Sequence, residues 1–422
     1  MSVLGVDAAQ YGVRPNTSAD QTAALQRALE QTAATRAPLA LAPGAYRVGN
    51  LKLPAGAHLT GVRGATRLIF TNGPSLLYAS QADALKLSGL TFDGGGVPLQ
   101  RGRGLIQLTA SRDVTVNDCE IARAGGTALL LEQVEGDIAR NTVTDAANIA
   151  IHSYNARRLT VRGNIVRRSG NGGIWIWTSD KRDDGSLVAD NQIEDTLARD
   201  GGSGQNGNAI NVFRAAHVTV RGNRIRNAAF SAVRGNSASN ITIASNSCIN
   251  VGEVALYSEF EFEGAVIANN IVDTAAVGVS VTNFDKGGRL ATVQGNVIRN
   301  LTRNLPDGTE ANRGHGTGIT VQADTTVTGN TIENAPAIGI EAGWGPYLRD
   351  VTVTGNVVRQ AGIGITVSLA QGAGAAVIAN NLITGSKRGA IVGVEWTKAV
   401  TGDLIAGTST YPQLTISGNK AR

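Results

Sequence analysis

A short phrase that ends in asparagine recurs twelve times along the 422-residue chain and sets the pattern of the whole sequence. In its clearest copies a β-branched residue, one variable residue, glycine and asparagine follow one another, as at 161–164 and 416–419. The twelve slots hold Asp118, Asn141, Asn164, Asn191, Asn223, Asn246, Asn270, Asn296, Asn330, Asn356, Asn381 and Asn419. The steps between them are 23, 23, 27, 32, 23, 24, 26, 34, 26, 25 and 38 residues. A unit near 23 residues that is lengthened only by insertions predicts a solenoid.

One repeat, residues 159–177, shows what a single unit predicts. Alternating apolar residues such as Leu159, Val161, Ile174 and Ile176 face one side, because the side chains of a strand alternate between its two faces. The strands are too short for a helix, so each must pair with its equivalent in the next unit, about 4.8 Å away. The repeat therefore predicts an all-β fold, a right-handed, single-stranded parallel β-helix of roughly a dozen coils. At the bend between strands, the asparagine amides are expected to hydrogen-bond one another from coil to coil.

The domain organisation follows from the same repeat. The chain has 53 glycines, no apolar run approaching the roughly 20 residues of a membrane span, and no proline-rich or serine-rich linker. Since a solenoid grows by adding coils, we predict a single domain over residues 1–422. The coils are expected to occupy residues 38–422.

The two ends of the chain need covers for their open coils. The periodicity over residues 18–32 predicts an amphipathic helix that begins at Ser18 or Asp20, within an N-terminal cap of residues 1–37. At the other end, either residues 396–411 or a neighbouring subunit is expected to close the coil.

Three segments near the N-terminus resemble a known family. Residues 7–25, the phrase Pro-Gly-Ala-Tyr-Arg-Val at 43–48 and residues 53–62 look like the start of many pectate-lyase-like β-helix proteins. The whole chain is similar to Tat-translocated repetitive β-helix proteins of unassigned activity. The resemblance implies a carbohydrate-related role and a periplasmic or secreted location, with the leader removed from this chain. It specifies fold better than chemistry, because the superfamily includes lyases, hydrolases, epimerases and adhesins.

The charge of the chain favours an acidic partner. The net charge is +5, and 31 of the 38 cationic residues are arginine, which binds carboxylates in a bidentate manner. No run of lysine and arginine and no nucleic-acid motif is present, so we predict an acidic polysaccharide or oligosaccharide and no nucleic acid. A solvated, arginine-rich surface is the alternative. The two cysteines, Cys119 and Cys248, lie too many coils apart for a disulfide and are expected to be free thiols.

The strand after each asparagine turn is where we expect a site, because every coil presents side chains there at one height. Aligning these strands gives two outward columns, in which aromatic, charged and amide residues concentrate between residues 152 and 259. We predict a glycan groove with a catalytic group of Arg234, Tyr257, His152 and Glu259. Its predicted substrate-binding residues are Tyr154, Trp175, Trp177, Asn211, Phe213, Asn236 and Asp180. Insertions at 178–186 and 199–207 are expected to wall this groove.

The chemistry remains open at this stage. In a polysaccharide lyase, Arg234 would neutralise the uronate carboxylate, with Tyr257 or His152 as base and acid. In a glycoside hydrolase, two carboxylates flank the scissile bond, and Asp180, Asp200 and Glu259 are the candidates. We favour β-elimination because the columns hold arginine and few carboxylates. A non-catalytic glycan-binding or adhesin protein is the rival of a different class.

Cofactor and assembly are less constrained. The acidic residues Asp180, Asp183 and Asp184 allow a Ca²⁺ site, although the sequence does not require one and no other metal is predicted. The exposed tryptophans predicted at 175 and 177 would alternatively form a subunit interface. The chain is therefore expected to be a monomer or a homotrimer.

Overall fold

The structure is a computed structural model that describes residues 5–202, 204–303, 315–406 and 410–422. Two compact units divide the chain, residues 1–200 and residues 201–422. Each unit is built from short strands that pair in parallel from coil to coil, and the described residues make about 14 turns. The predicted all-β, right-handed parallel β-helix is therefore confirmed, with slightly more coils than the asparagine slots alone indicated.

The first unit contains nineteen named strands among its described residues. They are β1 (Val6–Asp7), β2 (Leu39–Ala40), β3 (Gly44–Val48), β4 (Leu51–Lys52), β5 (His58–Thr60), β6 (Thr66–Phe70), β7 (Leu77–Ser80), β8 (Lys86–Ser88), β9 (Thr91–Asp93), β10 (Gly104–Asn117), β11 (Glu120–Ala122), β12 (Thr127–Ala139), β13 (Thr142–Thr144), β14 (Ile149–Tyr154), β15 (Thr160–Arg162), β16 (Ile165–Ser169), β17 (Gly172–Asp183), β18 (Leu187–Ala189) and β19 (Gln192–Thr196).

Three series of parallel pairs run through the first unit. One joins β11, β13, β16 and β19, and a second joins β12, β15 and β18. The third, which we call sheet A of the first unit, joins β7, β10, β12, β14 and β17. Leu159, Val161, Ile174 and Ile176 are fully buried, as their alternation predicted.

The predicted N-terminal helix is present as α1 (Thr22–Ala34). It begins after both predicted caps, with Gln21 at the N-cap position, although Asp20 Oδ1 still accepts a hydrogen bond from the Thr22 N–H at 2.8 Å. Leu25, Ala28 and Leu29 are buried, so one face of the helix packs onto the coils of this unit.

The second unit contains twenty-three named strands among its described residues. They are β20 (Asn208–Ala216), β21 (Thr219–Arg221), β22 (Arg224–Ala228), β23 (Val233–Asn236), β24 (Ile241–Ala244), β25 (Ser247–Val251), β26 (Val254–Glu259), β27 (Glu263–Ala268), β28 (Ile271–Asp273), β29 (Val277–Val281), β30 (Arg289–Gln294), β31 (Val297–Arg299), β32 (Thr317–Val321), β33 (Thr325–Thr328), β34 (Thr331–Ala342), β35 (Val351–Thr354), β36 (Val357–Ser368), β37 (Ala376–Ala379), β38 (Leu382–Thr384), β39 (Ile391–Glu395), β40 (Lys398–Asp403), β41 (Leu414–Ser417) and β42 (Lys420–Ala421).

The second unit repeats the same pairing. Its sheet A joins β20, β23, β26, β29, β32, β34, β36 and β39 in parallel. The hairpin β39–β40 is antiparallel and lies within the stretch expected to cover the C-terminal end. Residues 407–409 of that stretch lie outside the described residues, so this cover and the single-domain organisation stay predictions.

The asparagine slots form a hydrogen-bonded ladder inside each unit. In the second unit the Asn270 backbone N–H and side-chain amide both donate to Asn296 Oδ1, at 3.0 and 2.9 Å, and the amide also donates to the Ile243 carbonyl at 3.0 Å. The same pattern links Asn141, Asn164 and Asn191 in the first unit. These side chains are buried, so the ladder confirms the structural role predicted for the repeated asparagine.

Two further findings bear on the chemistry of the chain. Cys119 and Cys248 are free and buried, and burial raises the pKa of each thiol to about 12. Both are therefore protonated and unreactive at neutral pH. Across the described residues, no helix is long and apolar enough to cross a membrane.

Candidate functional site

The outward columns predicted on the repeated strand exist in each unit. In sheet A of the first unit, His152 pairs with Trp175 and Tyr154 pairs with Trp177. In sheet A of the second unit, Asn211 pairs with Arg234 and Phe213 with Asn236. Arg234 and Asn236 pair in turn with Tyr257 and Glu259. The register therefore brings the predicted site residues into two clusters, one in each unit.

The cluster in the first unit is aromatic. The indoles of Trp175 and Trp177 stack with their ring centroids 4.2 Å apart and an interplanar angle of 7°. The His152 imidazole meets both rings edge-on, at 5.3 and 5.4 Å, and the Tyr154 ring edge-on at 6.2 Å. We call these four residues the aromatic cluster.

The aromatic cluster is less open than predicted. Only 4% of Trp175 is exposed, because its indole folds back over Gly172 on the same strand and is covered by Trp177. Trp177 and Tyr154 are half-buried. The prediction of two exposed tryptophans is therefore wrong for Trp175, which supports the Trp177 ring from beneath.

Burial also sets the protonation of His152. It lowers the pKa of the imidazole to about 4, so the side chain is neutral at pH 7. Its Nε2 atom and the Nε1 atom of Trp175 are buried and have no hydrogen-bond partner among the described residues. Two buried polar atoms without hydrogen-bond partners reduce the stability of the folded state unless a ligand forms hydrogen bonds with them.

The acidic residues near the aromatic cluster do not form one site. Residues 178–183 extend β17 rather than forming the predicted loop, and Asp180 is exposed there with its Oδ1 accepting from Ser179 Oγ at 2.7 Å. Asp184 is buried, which raises the pKa of its carboxyl group to about 6. Asp200, a hydrolase candidate, accepts a 2.8 Å hydrogen bond from the Asn171 amide. Among the described residues, no group of three or more His, Cys, Asp or Glu could hold a metal ion, so the Ca²⁺ alternative has no support here.

The cluster in the second unit is charged and buried. Arg234 Nε donates to Glu259 Oε1 at 2.6 Å, and the side chains of these two residues are 9% and 2% exposed. The Asn236 amide donates to the same carboxylate oxygen at 2.9 Å. The guanidinium lies over the Tyr257 ring, 5.3 Å from its centroid. This burial contradicts the open groove expected around Arg234 and Glu259.

Glu253 completes this cluster and was missed by the sequence analysis. Its Oε2 atom lies 3.9 Å from Arg234 Nη1, and burial raises the pKa of its carboxyl group to about 7. Backbone hydrogen bonds fix the residue, since its N–H donates to Phe230 O and its carbonyl accepts from Ala276 N–H, both at 3.1 Å. Glu253 precedes β26 and therefore stands outside the aligned columns. The equivalent positions in the two adjacent coils hold Phe230 and Ala276. A glutamate at a position that is apolar in its neighbours was the sequence signal that could have identified Glu253. We call Arg234, Glu253, Tyr257 and Glu259 the carboxylate cluster.

The remaining predicted residues of the second unit have local roles. Burial and the neighbouring Glu259 raise the pKa of Tyr257 well above its ordinary value, so this hydroxyl stays protonated at neutral pH and is not available as a base. Asn211 is buried and its amide donates to the Gln205 carbonyl at 3.2 Å. Phe213 is half-buried beneath the Arg214 guanidinium, 4.8 Å from its ring centroid.

Many arginines are already paired with carboxylates. Four bidentate arginine–aspartate pairs join successive coils: Arg140 with Asp118, Arg162 with Asp137, Arg168 with Asp145 and Arg349 with Asp324. In a fifth pair, Arg299 donates two hydrogen bonds to the Oδ2 atom of Asp273. These residues lie in turns and in strands outside the aligned columns. Part of the arginine content that favoured an acidic partner therefore pairs with the protein's own aspartates.

The coils define a right-handed parallel β-helix protein, whose aligned columns carry an aromatic cluster in one unit and most of the carboxylate cluster in the other. Residues 63–193 match the family described as right handed beta helix region. Residues 199–420, more than half of the chain, match the family described as periplasmic copper-binding protein (NosD), and the chain belongs to that family. No curated protein matches the chain.

Solved structures show the same fold. The pre-mature gene product 12 of bacteriophage phi29 is 16% identical with a TM-score of 0.55, and the match covers 98% of this chain but only 58% of the phage protein. PfbA, a surface adhesin of Streptococcus pneumoniae, is 15% identical with a TM-score of 0.50, over 91% of this chain and 90% of PfbA. The catalytic unit of a GH87 alpha-1,3-glucanase from Streptomyces thermodiastaticus is 16% identical with a TM-score of 0.52, over 100% and 69% of the two chains. At these identities the likeness shows the fold alone.

The family description names copper, but the histidines, cysteines and methionine of this chain do not fit a copper site. Copper in proteins prefers imidazole, thiolate and thioether ligands. The whole sequence has four histidines, two cysteines and one methionine. Both cysteines are buried, protonated and in different units, and His152 lies in the aromatic cluster. In the second unit, the ring of His217 contacts the Asn240 amide at 2.9 Å. The described residues therefore offer no converging set of copper ligands.

Proposed function

We propose that this protein is an exported, carbohydrate-active β-helix protein that binds a polysaccharide and hydrolyses its glycosidic bonds with Glu253 and Glu259. The observation that carries the proposal is the carboxylate cluster, where a carboxyl group with a pKa of about 7 lies beside a carboxylate paired with Arg234. Glycoside hydrolysis needs one protonated carboxyl group to donate to the leaving oxygen and one carboxylate to act as base or nucleophile.

The two glutamates divide these roles by their surroundings. Glu253 carries its proton over part of the neutral range, so it suits the general acid. Glu259 accepts hydrogen bonds from Arg234 and Asn236, which hold it in place as the second carboxylate. Arg234 acts as a positioning residue, since it contacts both carboxylates.

The aromatic cluster supports a glycan as the ligand. Indole and phenol rings stack on the apolar C–H faces of sugars. Trp177 and Tyr154 are partly exposed, so part of each ring is open to the C–H face of a sugar.

The geometry supports β-elimination less well than the sequence did. Arg234 was expected to neutralise a uronate, but Glu259 and Glu253 already contact its guanidinium. The raised pKa of Tyr257 also disfavours it as the base. An acidic polysaccharide therefore has no special support over a neutral one. An extracytoplasmic location agrees with the word periplasmic in the family description and with the earlier resemblance.

A non-catalytic glycan-binding protein is the second candidate. The observation that favours it is the burial of Glu259, which is only 2% exposed. A carboxylate this buried can stabilise the coil without reaching a substrate. PfbA, which shares this fold, is a surface adhesin.

The test is to incubate the protein with a panel of neutral and acidic polysaccharides and to measure two products. New reducing ends without an absorbance from unsaturated uronate indicate hydrolysis, whereas both signals together indicate β-elimination. Glu253→Gln and Glu259→Gln should each abolish turnover, while Glu135→Gln, at an exposed glutamate, should leave it unchanged. Turnover that survives in both site variants would overturn the assignment, and binding without any new ends would favour the second candidate.

A further inference from the structure

The second unit contains a group of aromatic residues that belongs to neither the aromatic cluster nor the carboxylate cluster. The hairpin β39–β40 carries Trp396 at its turn, in the left-handed backbone region with a φ of 54°. It is 46% exposed, more than any other tryptophan or phenylalanine among the described residues. A large aromatic side chain held in an unusual backbone conformation and left open to solvent is a candidate for a binding role.

Trp396 is held as a flat platform. An ideal Cβ on Gly345 would lie 2.4 to 2.7 Å from three atoms of the six-membered ring, so that ring rests directly on the Gly345 backbone. The Trp344 ring meets it edge-on at 5.6 Å and the Tyr347 ring edge-on at 6.5 Å. The six-membered ring of the Trp396 indole is therefore backed by glycine, while 46% of the residue stays exposed.

The support beneath this platform is rigid. Trp344 and Tyr347 bracket a tight turn, in which each backbone N–H donates to the carbonyl of the other, at 3.2 and 3.0 Å. Ser368 Oγ donates to the Gly345 carbonyl at 2.6 Å and fixes the glycine from the next coil. The turn follows β34 and the hairpin includes β39, so both belong to sheet A of the second unit.

The size and surroundings of the platform fit a small ligand. A whole indole buries at most about 250 Å², so the exposed part of Trp396 offers on the order of 100 Å². A stable protein interface needs about 800 Å² on each partner and is depleted of lysine and glutamate. Around Trp396 the residues Glu395, Thr397 and Lys398 are all exposed. An aromatic surface of this size, with exposed polar residues next to it in the chain, matches one sugar ring, whose C–H face stacks while its hydroxyls meet polar side chains.

We propose that Trp396, resting on Gly345 and flanked by Trp344 and Tyr347, is a separate carbohydrate-binding site that takes one sugar ring of a polysaccharide. The inference rests on the proposed function for the class of ligand, but it needs neither the carboxylate cluster nor turnover. The site would hold the polymer on the second unit independently of the place where it is cleaved.

The experiment is affinity electrophoresis of the full chain in gels that contain dextran, α-1,3-glucan, alginate or pectate. Trp396→Ala should weaken retardation in the gel that retards the wild type by about tenfold in Kd, the size expected for loss of one stacked ring. Trp396→Phe should recover part of that loss. Phe260→Ala is the matched control, because Phe260 is also an exposed aromatic residue in the left-handed region, 36% exposed with a φ of 56°.

The outcomes separate this inference from the proposed hydrolysis. Loss of retardation in Trp396→Ala, with unchanged turnover of a short soluble oligosaccharide, supports the site. Loss of retardation in a protein that never cleaves any polymer supports the site and overturns the hydrolase. Retardation that is equal in Trp396→Ala and wild type overturns the inference, as does a wild type that no gel retards. A change only in the mass measured by light scattering would make the platform an interface and would also overturn it.

Discussion

An ideal Cβ atom on Gly172 would lie 2.1 Å from the Nε1 atom of Trp175, three residues further along the same strand. The backbone of Gly172 is outside the left-handed region, so glycine is required there for space alone. This absence of a side chain is what allows the Trp175 indole to lie down along β17 and to support Trp177.

Gly172→Ala should therefore displace the Trp175 indole and open the aromatic cluster. We expect a loss of about 1–3 kcal/mol in the free energy of unfolding, as for other overpacked positions, together with weaker glycan binding. Tryptophan fluorescence and thermal unfolding would measure the change. Gly402→Ala is the control, because an added Cβ there meets nothing within 4 Å. Equal fluorescence in both variants would contradict this packing.

Arg234→Met should destabilise the second unit strongly. The variant leaves the Glu259 carboxylate buried without its ion-pair partner, which costs about 3–5 kcal/mol in comparable cases. Adding Glu259→Gln to the same chain should restore a large part of that loss, because the uncompensated charge disappears. Chemical denaturation of both variants would measure it. Arg299→Met, at a more exposed pair with Asp273, should cost less than about 1 kcal/mol. Similar losses at the two arginines would show that the Arg234 pair is not buried in solution.

Glu253 should give the protein a distinct pH dependence. Its folded-state pKa of about 7 lies above the ordinary value of 4.5, so the folded state binds this proton more tightly than the unfolded chain does. The resulting stability is fully present below pH 4.5 and is lost as the pH rises through 7. Between these values the melting temperature of the wild type should fall relative to that of Glu253→Gln. If the melting temperatures of the two proteins changed in parallel with pH, the Glu253 carboxyl group would have its ordinary pKa in the folded state.

Substitutions in the middle of the asparagine ladder should destabilise the protein more than substitutions at its end. Asn270→Leu removes the side-chain amide bonds to Asn296 and Ile243 and the carbonyl oxygen that accepts from the Asn246 backbone and side chain, so we expect a loss of about 2–4 kcal/mol. Asn419→Leu, at the last slot of the ladder, should cost less, because this residue is half-buried and bonds to only one further asparagine, Asn381. Thermal unfolding of the pair would compare them, and equal losses would argue against a cooperative ladder.

The copper question has a direct answer in solution. From the dispersed histidines and the buried thiols we expect no stoichiometric copper after dialysis against either Cu(I) or Cu(II). Metal analysis and isothermal titration calorimetry would measure this. One equivalent of copper that is lost in a histidine variant would contradict the mismatch between this chain and its family description.

The register of the outward columns followed from the sequence. A repeat unit near 23 residues, lengthened only by insertions, makes each strand pair with its counterpart one coil later, so the pairings of His152 with Trp175 and of Arg234 with Tyr257 were predictable. The asparagine ladder was predictable for the same reason. The start of α1 was off by a few residues, because Gln21 rather than a stronger capping residue occupies its N-cap.

What the sequence by itself determined is the solenoid, since its period, its alternating apolar residues and its asparagine slots are all local and repeated. Only the tertiary structure decided which column residues are accessible and which carboxyl group has a shifted pKa. Burial depends on how side chains lie over their neighbours, as Trp175 does over Gly172. The raised pKa of Glu253 comes first from its burial at a turn outside the columns, and the nearby Arg234 guanidinium only partly offsets that effect. Such contacts join residues whose spacing in the sequence carries no period, so no pattern along the chain reveals them.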